Sequence, residues 1–488
     1  MQDQDLDVLV VGAGISGIGA AVHLKTLCPG KRFLVLERRE RFGGTWDLFR
    51  YPGIRSDSDM YTLGFRFKPW TARKAIADGP AIMDYLGETI REHDLDRVIR
   101  YGQRVRRADW DGKHARWTLE VEDVASGQAA RLSAPMLFMC SGYYDYDTGY
   151  TPDFPGRADF GGAVLHPQHW PEDFDCRGKR VVVIGSGATA VTLVPALAEA
   201  GAAQVTMLQR TPTYMVSRPS EDAFALWLRR VLPAGFAYAI TRWRNILMQQ
   251  FFYSFMRWRP RAAARRLIGM VGDMLPAGYD LKTHFTPPYK PWDQRLCLVP
   301  DSDFFRAIRR GRASVATGHI ARFTPGGIEL ESGEELPADV IVTATGLNVK
   351  VFGGVDLRID GVPLEPAAHV LHKGTMLSDV PNLLMWFGYT NASWTLKADL
   401  TAEYACRLIQ QMGASGARIA VPRLHGRRIP LTDFVDFSSG YFRRVMDRLP
   451  KQGTEFPWRL HQNYLKDVFL LRHGRLDDGA LSFEQPAA

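Results

Sequence analysis

Two glycine-rich strings contain the residues whose types and spacing most directly imply chemistry in this 488-residue chain. Each string follows an apolar run, at residues 7–11 and 180–184, that is typical of a buried parallel strand. Glycines after such a strand allow a tight turn and bring backbone N–H groups close to a pyrophosphate at a helix N-terminus. We therefore expect two dinucleotide-binding sites. The predicted binding residues are Gly12, Gly14 and Gly17 in the first string and Gly185, Gly187 and Ala190 in the second.

The residue that follows the next strand distinguishes the two ligands. In the first unit this strand ends at Glu37, whose carboxylate can accept hydrogen bonds from both ribose hydroxyls, as FAD or NAD requires. In the second unit the strand is followed by Arg210 and Thr211 without a carboxylate, which favours the 2′-phosphate of NADP. The alternative is that Glu37 and Arg210 are ordinary solvated residues at strand ends.

Two further apolar strands that end in glycine, within residues 135–142 and 339–346, indicate how the units are arranged. The strand within 135–142 would end the first part of an outer domain. The strand within 339–346 would end an inserted domain, after which the chain returns to the outer one. We predict an α/β fold with two Rossmann-like dinucleotide-binding domains, the second inserted in the first. The predicted bounds are 1–145 and 347–488 for the FAD-binding domain and 146–346 for the NADP-binding domain, with a helical insertion at about 218–285.

Composition and length limit the class of protein. Hydrophobic residues make up 46% of the chain, enough for two or three globular domains. No stretch reaches the roughly 18 apolar residues of a membrane span. The first strand begins within six residues of the N-terminus, which leaves no room for a signal peptide. We therefore expect a cytoplasmic protein.

The cysteines exclude one class of flavoprotein. The chain has five, and none forms a short pair such as C-x-x-C. This spacing indicates neither a disulfide framework nor a metal site, and His166 with His169 lacks a third metal ligand. Flavoprotein disulfide reductases need a redox-active cysteine pair, so that class is disfavoured.

The net charge of +8 is concentrated in residues 218–275, which contain ten arginines and three acidic residues. The same segment holds ten aromatic residues, a mixture typical of amphipathic helices with arginine on the solvated face. Three interpretations compete. The segment is an insertion that covers a substrate site and packs on its own aromatic side chains, a membrane-surface or apolar-substrate access patch, or a nucleic-acid surface. No nucleic-acid-binding motif supports the last interpretation, so no nucleic-acid partner is expected.

Two strings between the glycine motifs carry a family resemblance. Residues 43–57 resemble the G-G-x-W-x-x-x-x-Y-P-G-x-x-x-D signature of type I Baeyer–Villiger monooxygenases. Residues 160–170 resemble the F-x-G-x-x-x-H-x-x-x-W fingerprint of the same family, whose tryptophan is typically absent from flavin-containing monooxygenases that oxidise nitrogen and sulfur. Over essentially the whole chain, the amino-acid sequence is similar to that of the ethionamide-activating monooxygenase subgroup of mycobacteria.

The resemblance implies a reaction and its catalytic residues. NADPH would reduce FAD, O2 would form a C4a-peroxyflavin, and the peroxide would attack a ketone to give an ester. By resemblance, Arg295 stabilises the negative charge that develops, and Asp57 pairs with this arginine and also contacts the cofactor. The alternative is a structural salt bridge far from the flavin.

Other residues of the two strings receive roles by the same resemblance. Thr45 and Trp46 are expected in the cofactor site, and Trp46 would face the nicotinamide or serve as a packing aromatic. The residues that link the flavin site to domain motion would be Phe160, Gly162, His166 and Trp170, with a buried core histidine and a packing tryptophan as the alternatives. Gln294 stands where many relatives have a lysine that helps bind the 2′-phosphate, so the NADPH preference would depend more on Arg210 and Thr211.

The sequence thus predicts an enzyme that uses FAD, NADPH and O2 to oxidise apolar aliphatic or arylaliphatic ketones to esters, with sulfide or thioamide S-oxygenation as a side activity. One alternative is a heteroatom (S/N) flavin monooxygenase, and another is an NADPH oxidase-type flavoprotein that releases peroxide. A third, a non-enzymatic membrane-surface protein, depends only on the arginine-rich segment at 218–275. No metal is expected.

Overall fold

A five-stranded parallel sheet forms the first layer of the fold. The computed structural model describes residues 6–435 and 440–486. Across this first sheet the strands run in the order Leu383–Met385, Met136–Met139, Val8–Val11, Phe33–Leu36 and Ile99–Arg100. Both faces are covered, so the central strands are apolar throughout, as in other parallel sheets.

A second five-stranded parallel sheet contains the other glycine string. Its strands run in the order Ala313–Thr317, Gln204–Gln209, Arg180–Ile184, Val340–Thr343 and Ala163–Leu165. In each sheet the strand before the glycine string is central and is followed by a helix. The predicted α/β class with two Rossmann-like units is confirmed.

The chain returns to the first sheet after completing the second one. Leu383–Met385 pairs with Met136–Met139, although the whole second sheet lies between them in sequence. Two linking strands, Tyr144–Gly149 and Leu347–Val349, pair antiparallel with each other. They lie where the chain leaves the unit of the first sheet and where it returns to that unit.

A mixed sheet packs beside the first sheet, with Asp356–Ile359 parallel to Gln103–Asp111 and the other strand pairs antiparallel. Its strands are Val362–Pro363, Asp356–Ile359, Gln103–Asp111, Arg116–Asp123 and Ala129–Ala134. Trp110 and Trp117 are fully buried in the core that this sheet shares with the first one.

Smaller elements complete the described chain. The remaining strands are Met215–Arg218 with Cys297–Pro300, Ile320–Thr324 with Gly327–Leu330 and Glu335–Pro337, Leu371–His372 with Met376–Leu377, Ile419–Pro422 with Leu481–Glu484, and Leu431–Thr432 with Gln452–Gly453. The helices outside the insertion are Ile15–Leu27, Thr45–Leu48, Met60–Leu63, Gly79–Glu92, Ala188–Glu199, Asp303–Arg309, Trp394–Ser415, Gly440–Arg443 and Tyr464–Asp467. Short 3₁₀ turns span Leu95–Arg97, Arg157–Asp159, Pro167–His169, Val351–Gly354, Pro366–Ala368 and Met446–Arg448, and a π-helical turn spans Val468–His473.

The predicted helical insertion at about 218–285 contains four helices, Ala223–Val231, Ala234–Trp258, Pro260–Gly272 and Leu281–Phe285. Of the nineteen exposed large apolar side chains in the described chain, thirteen lie between residues 224 and 258. The interpretation that the aromatic residues pack mainly on one another inside the insertion is therefore not supported, because most are solvent-exposed. No helix within residues 6–435 or 440–486 has the length and apolar character to cross a bilayer.

A buried arginine anchors the long helix Ala234–Trp258 to the rest of the protein. Arg242 donates hydrogen bonds of 2.8 and 2.7 Å to the carbonyls of Tyr61 and Gly64. Its guanidinium also lies 3.5 Å from the buried carboxylate of Asp399, on the helix Trp394–Ser415. Since a buried charge is costly without a partner, these contacts fix the helix at this position.

The first prediction concerns this anchor. Replacing the arginine in Arg242→Leu should lower the free energy of unfolding by about 3 kcal/mol, because Asp399 would be left as an unpaired buried charge. The double variant Arg242→Leu/Asp399→Leu should recover part of the loss. Chemical denaturation measures both effects. The exposed control Arg261→Leu should change stability by less than about 0.5 kcal/mol. An equal loss in the single and double variants would contradict the role of the ion pair.

Candidate active site

A cavity of about 490 Å³ lies between the two glycine-string units. The first unit contributes Gly12, Gly14 and Glu37, and the helix after the second string contributes Ala188, Thr189 and Thr192. Arg295 and Asp57 also line this cavity. The structure therefore brings the predicted catalytic pair together with residues of both nucleotide units.

The first glycine string fits a pyrophosphate at the start of Ile15–Leu27. Gly12 has φ +104°, and a Cβ there would come 2.7 Å from the Cys140 carbonyl oxygen. At Gly17 a Cβ would come 1.8 Å from the Gly12 carbonyl oxygen. At Gly14, in contrast, the nearest atom is 3.6 Å away, and the residue lines the cavity. Two glycines are thus required by backbone packing, while Gly14 leaves room beside a helix N-terminus, where an anion is stabilised.

Glu37 is buried at the cavity wall, with a side chain held by backbone N–H donors. Its carboxylate accepts hydrogen bonds of 2.8 Å from the Ala13 N–H and 2.9 Å from the Arg39 N–H. Burial raises the pKa of Glu37, and the two N–H donors oppose that shift. A carboxylate can accept about four hydrogen bonds, so capacity remains for ribose hydroxyls at the cavity face.

The tryptophan string 43–57 forms one wall of the cavity. The Thr45 and Tyr146 hydroxyls lie 3.3 Å apart, and burial raises the pKa of Tyr146 to about 12. Trp46 is half-buried, lines the cavity and packs against the core beneath the first sheet. Asp47 is buried outside the cavity lining and pairs with Arg39 at 2.6 Å.

Arg295 and Asp57 form an ion pair inside the cavity. The guanidinium Nε lies 2.9 Å from one carboxylate oxygen of Asp57, and a second nitrogen lies 3.3 Å from the other. The side chains keep 39% and 33% of their surface exposed, and both line the cavity. The charge of Asp57 raises the pKa of Arg295, so the guanidinium remains a cation at every working pH.

The ion pair joins the two nucleotide units. Arg295 precedes the strand Cys297–Pro300, which pairs with Met215–Arg218. The Cys297 thiol is 3.6 Å from the carbonyl oxygen of Ser186, in the second glycine string, and burial raises its pKa to about 12. The loop that contains Arg295 is thus connected to the second unit. Asp57, in contrast, belongs to the tryptophan string 43–57, which follows the first glycine string.

An aromatic wall beside Arg295 was missed by the sequence analysis. Tyr143 contacts Tyr144, Phe442 and Trp394 at ring-centroid distances of 4.4, 5.4 and 5.6 Å. Burial raises the pKa of both tyrosines, so they are neutral. All of these residues, and Tyr441 with them, lie outside the strings 43–57 and 160–170 that carry the family resemblance. The wall makes this part of the cavity apolar.

The second glycine string starts the helix Ala188–Glu199. Gly185 has φ +133°, and a Cβ there would come 2.3 Å from the Ala344 carbonyl oxygen. At Gly187, in contrast, no atom of the described chain lies within 4 Å of a Cβ position, although this residue is the helix N-cap. Ala190 is buried in the core. The arrangement fits a pyrophosphate that approaches Gly187.

The two residues expected at the 2′-phosphate lie next to this string. The Ser186 hydroxyl donates a 3.0 Å hydrogen bond to the Thr211 carbonyl. Arg210 is exposed and lies outside the cavity lining. Gln294, the residue before Arg295, is half-buried.

Residues of the second string, 160–170, lie outside the cavity. Gly162 is required by packing, because a Cβ would come 2.3 Å from the Asp339 carbonyl oxygen. Phe160 packs against Phe323 and Trp170 against Phe174, at centroid distances of 6.3 and 5.4 Å. These contacts agree with packing roles for the two aromatic residues.

His166 lies where the chain passes between the two units. Its Nδ1 accepts a 3.1 Å hydrogen bond from the Gln168 N–H, so Nε2 carries the proton and donates to the Gly346 carbonyl at 3.3 Å. A Cβ on Gly149 would collide with its ring at 1.9 Å. Burial lowers the pKa of His166, which keeps the imidazole neutral. The ring therefore contacts Gly149, in the first linking strand, and Gly346, the residue before the second linking strand.

Comparison with known proteins extends this description. A family model for an NAD(P)-binding Rossmann-like domain matches residues 10–76, and a flavin-binding monooxygenase-like model matches residues 77–258. The chain is 53% identical over 485 residues to the FAD-containing monooxygenase EthA of Mycobacterium tuberculosis (strain ATCC 25618 / H37Rv), with 99% of both chains covered. It is 48% identical over 486 residues to the probable FAD-binding monooxygenase AlmA of Acinetobacter baylyi, covering 99% of this chain and 97% of the relative.

Solved structures show the same fold. An open crystal structure of cyclohexanone monooxygenase has a TM-score of 0.73 at 21% identity, covering 86% of this chain and 90% of that one. An oxidised steroid monooxygenase bound to NADP has a TM-score of 0.72 at 23% identity, covering 86% and 88%.

Fold and cavity together define a flavoprotein oxidoreductase with two dinucleotide-binding units. The chain belongs to the FAD-containing monooxygenases, as its identity to EthA over nearly the full length of both chains shows. The predictions of an NADPH-dependent flavoprotein monooxygenase with FAD and NADPH as cofactors are confirmed. The resemblance to the ethionamide-activating subgroup is confirmed by the sequence identity, and the fold is shared with cyclohexanone and steroid monooxygenases.

The second prediction separates cofactor contact from folding. In Gly187→Ala the added methyl meets no protein atom within 4 Å, so the melting temperature should stay within about 2 °C of the wild type. The KM for NADPH should rise about tenfold, because the methyl blocks close approach of the pyrophosphate. Steady-state kinetics and thermal unfolding measure the two effects.

The matched control is Gly185→Ala, which should fail to fold or melt much earlier because of its positive φ and the backbone clash. An unchanged KM for NADPH in Gly187→Ala would show that the pyrophosphate does not approach this residue.

Proposed function

We propose that this protein is a Baeyer–Villiger monooxygenase that converts apolar aliphatic or arylaliphatic ketones to esters, with S-oxygenation of sulfides or thioamides as a side activity. The observation that carries the proposal is the Arg295–Asp57 ion pair in a cavity with an aromatic wall.

Oxygen insertion into a ketone needs a stabilised oxyanion. Bound FAD, reduced by NADPH, supplies the activated oxygen. Arg295 offers a permanent guanidinium for the negative charge on the carbonyl oxygen, and a preorganised cation in a water-poor site can be worth several kcal/mol of barrier. Asp57 holds this cation in place before the charge develops. The aromatic wall excludes water and favours an apolar substrate.

The remaining site residues receive roles in the same proposal. Glu37 and the first glycine string hold FAD, within a domain made of residues 1–145 and 347–488. Gly187, Arg210 and Thr211 hold NADPH within residues 146–346, and Arg210 compensates for the glutamine at position 294. His166, in contact with the linking region, couples movement between these domains.

The third prediction tests the role of the arginine. Arg295→Ala should abolish ester formation from phenylacetone, at least about 100-fold in kcat/KM, since loss of one oxyanion-stabilising group costs on this order. Oxidation of a thioether should be largely retained, because sulfur attack forms no carbonyl oxyanion. Product analysis by gas chromatography compares the two reactions.

Arg230→Ala, an exposed arginine on the helix Ala223–Val231, is the matched control and should keep both activities. Equal loss of both activities in Arg295→Ala would assign this arginine to a different role. Sulfoxide without ester in the wild type would favour a heteroatom monooxygenase. NADPH consumption matched by hydrogen peroxide would indicate an oxidase.

We further propose that the segment 218–275 binds the surface of an anionic phospholipid bilayer. Exposed side chains such as Phe236, Phe251 and Trp258 keep 69%, 65% and 71% of their surface accessible. Exposed arginines lie on the same helix and on the helices before and after it, namely Arg257, Arg230, Arg261, Arg265 and Arg266. Apolar side chains that insert at the interface and arginines that attract anionic headgroups together favour this partner.

The fourth prediction measures this binding by flotation with vesicles of phosphatidylglycerol and phosphatidylcholine. The variant Phe251→Ser/Trp258→Ser should reduce vesicle binding at least about tenfold, because two large apolar side chains no longer insert. The matched control is Phe469→Ser, a residue 69% exposed outside the segment, and it should bind as the wild type does. Equal binding to purely phosphatidylcholine vesicles would exclude the contribution of the arginines.

A further inference from the structure

A second ion pair joins the same two units as the Arg295–Asp57 pair. Arg55, two residues before Asp57, donates to both carboxylate oxygens of Asp303, and the longer of these bonds is 3.4 Å. Asp303 begins the helix Asp303–Arg309, shortly after the strand that Arg295 precedes. Each of the two segments therefore contributes one cation and one anion, and the two pairs cross between the units.

Arg55 and Asp57 lie on the same side of an extended piece of chain. Arg55 forms an antiparallel bridge with Asp78, and the Ser56 N–H donates a 2.9 Å hydrogen bond to the Ala77 carbonyl. Ser56, between the two charges, is buried. Because side chains alternate along an extended chain, Arg55 and Asp57 both face the second unit. The Arg55 guanidinium is thus an alternative partner for the Asp57 carboxylate.

The two ion pairs differ in exposure. The side chains of Arg55 and Asp303 keep 16% and 14% of their surface exposed, compared with 39% and 33% for Arg295 and Asp57. A cation buried to this degree is costly without a partner. If the charge of Asp303 were lost, Arg55 would turn to another carboxylate, and Asp57 is two residues away on the same side.

Tyr51 shows that the two charges of this segment act on the same part of the cavity. Its side chain lines the cavity, and burial raises the pKa of its hydroxyl to about 12. The negative charge of Asp57 also raises this pKa, whereas the positive charge of Arg55 lowers it. One hydroxyl group is therefore affected by both charges.

Asp303 is presented by a tight turn. Asp301 and Ser302 have φ +52° and +58°, a left-handed conformation that is uncommon outside glycine. The Asp301 carboxylate accepts a 2.9 Å hydrogen bond from the Ser220 N–H. The carboxylate of Asp303 is thus offered from a fixed backbone, whereas the long side chain of Arg55 has several rotamers available to it.

We propose that Asp303 is a positioning residue that keeps Arg55 away from Asp57, so that Asp57 stays paired with Arg295. The inference rests on the proposed function, since it concerns the arginine that stabilises the oxyanion. Asp303 acts by fixing which cation each carboxylate binds, in the way that charge patterns set partner choice at interfaces. The Arg295 guanidinium thereby keeps its place in the cavity.

The position of Arg295 is measured by its rate of modification with phenylglyoxal in the FAD-loaded protein, followed by peptide mass spectrometry. This reagent reacts with guanidinium groups, and an ion pair slows the reaction. Asp303→Asn should raise the rate at Arg295 at least about threefold, because Arg55 then competes for Asp57. The double variant Arg55→Met/Asp303→Asn should return the rate to within about 1.5-fold of the wild type, because the competing cation is gone.

The same variants are compared in the oxidation of phenylacetone. Asp303→Asn should lower kcat for ester formation about tenfold with little change in the KM for NADPH, since the cation is displaced from the reacting oxygen. Thioether oxidation should be largely retained, and the double variant should recover most of the lost ester formation. A merely structural role would lower both reactions together, and the double variant would recover neither.

The matched control is Glu172→Gln. Glu172 pairs at 2.8 Å with Arg50, which belongs to the same tryptophan string, and both residues lie outside the cavity lining. This variant should keep the wild-type values of Arg295 modification and ester formation. An unchanged rate at Arg295 in Asp303→Asn, the same increase in the control, or equal effects in the single and double variants would overturn the positioning role.

FAD content and thermal unfolding show whether Asp303→Asn folds. If it does not, the double variant decides the question, because it removes both members of the pair. Arg295 modification and ester formation near the wild-type values would then support the proposal. A loss of ester formation of about tenfold in the folded double variant would overturn it, since the pair would be needed for itself.

Failure of the proposed function has a different signature. The modification of Arg295 needs no substrate, so it decides the inference even if the wild type oxidises thioethers and forms no ester. Ester formation by the wild type, together with an unchanged rate at Arg295 in Asp303→Asn, would support the ketone chemistry and overturn the positioning role.

Discussion

The ion pair between Arg295 and Asp57 is the interaction on which the arrangement of this molecule depends. Each partner comes from a different unit, and both side chains line the cavity between the two units. This electrostatic contact therefore joins the two nucleotide-binding units beside the cavity.

Backbone packing limits which residues the glycine strings can hold. Gly12, Gly17 and Gly185 each lie against a backbone carbonyl oxygen, so a side chain there would clash with the protein itself. Gly14 and Gly187 have free space on the protein side, which leaves room for a ligand. The glycine motif thus meets two requirements, backbone packing and space for a ligand. The sequence pattern alone does not show which glycine meets which requirement.

Much of the fold and part of the site follow from the sequence because their signals are local. The strands before both glycine strings and the return to the first sheet could be anticipated from motifs and their order. The pairing of Asp57 with Arg295, which are 238 residues apart, was expected only from the family resemblance. The aromatic wall could not be anticipated, since Tyr441 and Phe442 reach Tyr143 only through tertiary packing of a distant segment. The exposure of the aromatic side chains at 224–258 also escaped prediction, because amphipathic periodicity shows that two faces exist but not which one is buried.

The antiparallel pairing of Tyr144–Gly149 with Leu347–Val349 brings the two ends of nearly two hundred intervening residues side by side. A chain segment whose ends are already adjacent adds little loop-closure entropy to the folding of the sheet from which it departs. The strands of the first sheet then assemble almost as if the intervening residues were a short hairpin. Shortening that segment to a tight turn would leave all five strands of the first sheet in the chain, a minimal flavin-binding scaffold in which the two halves of the outer unit meet without their partner.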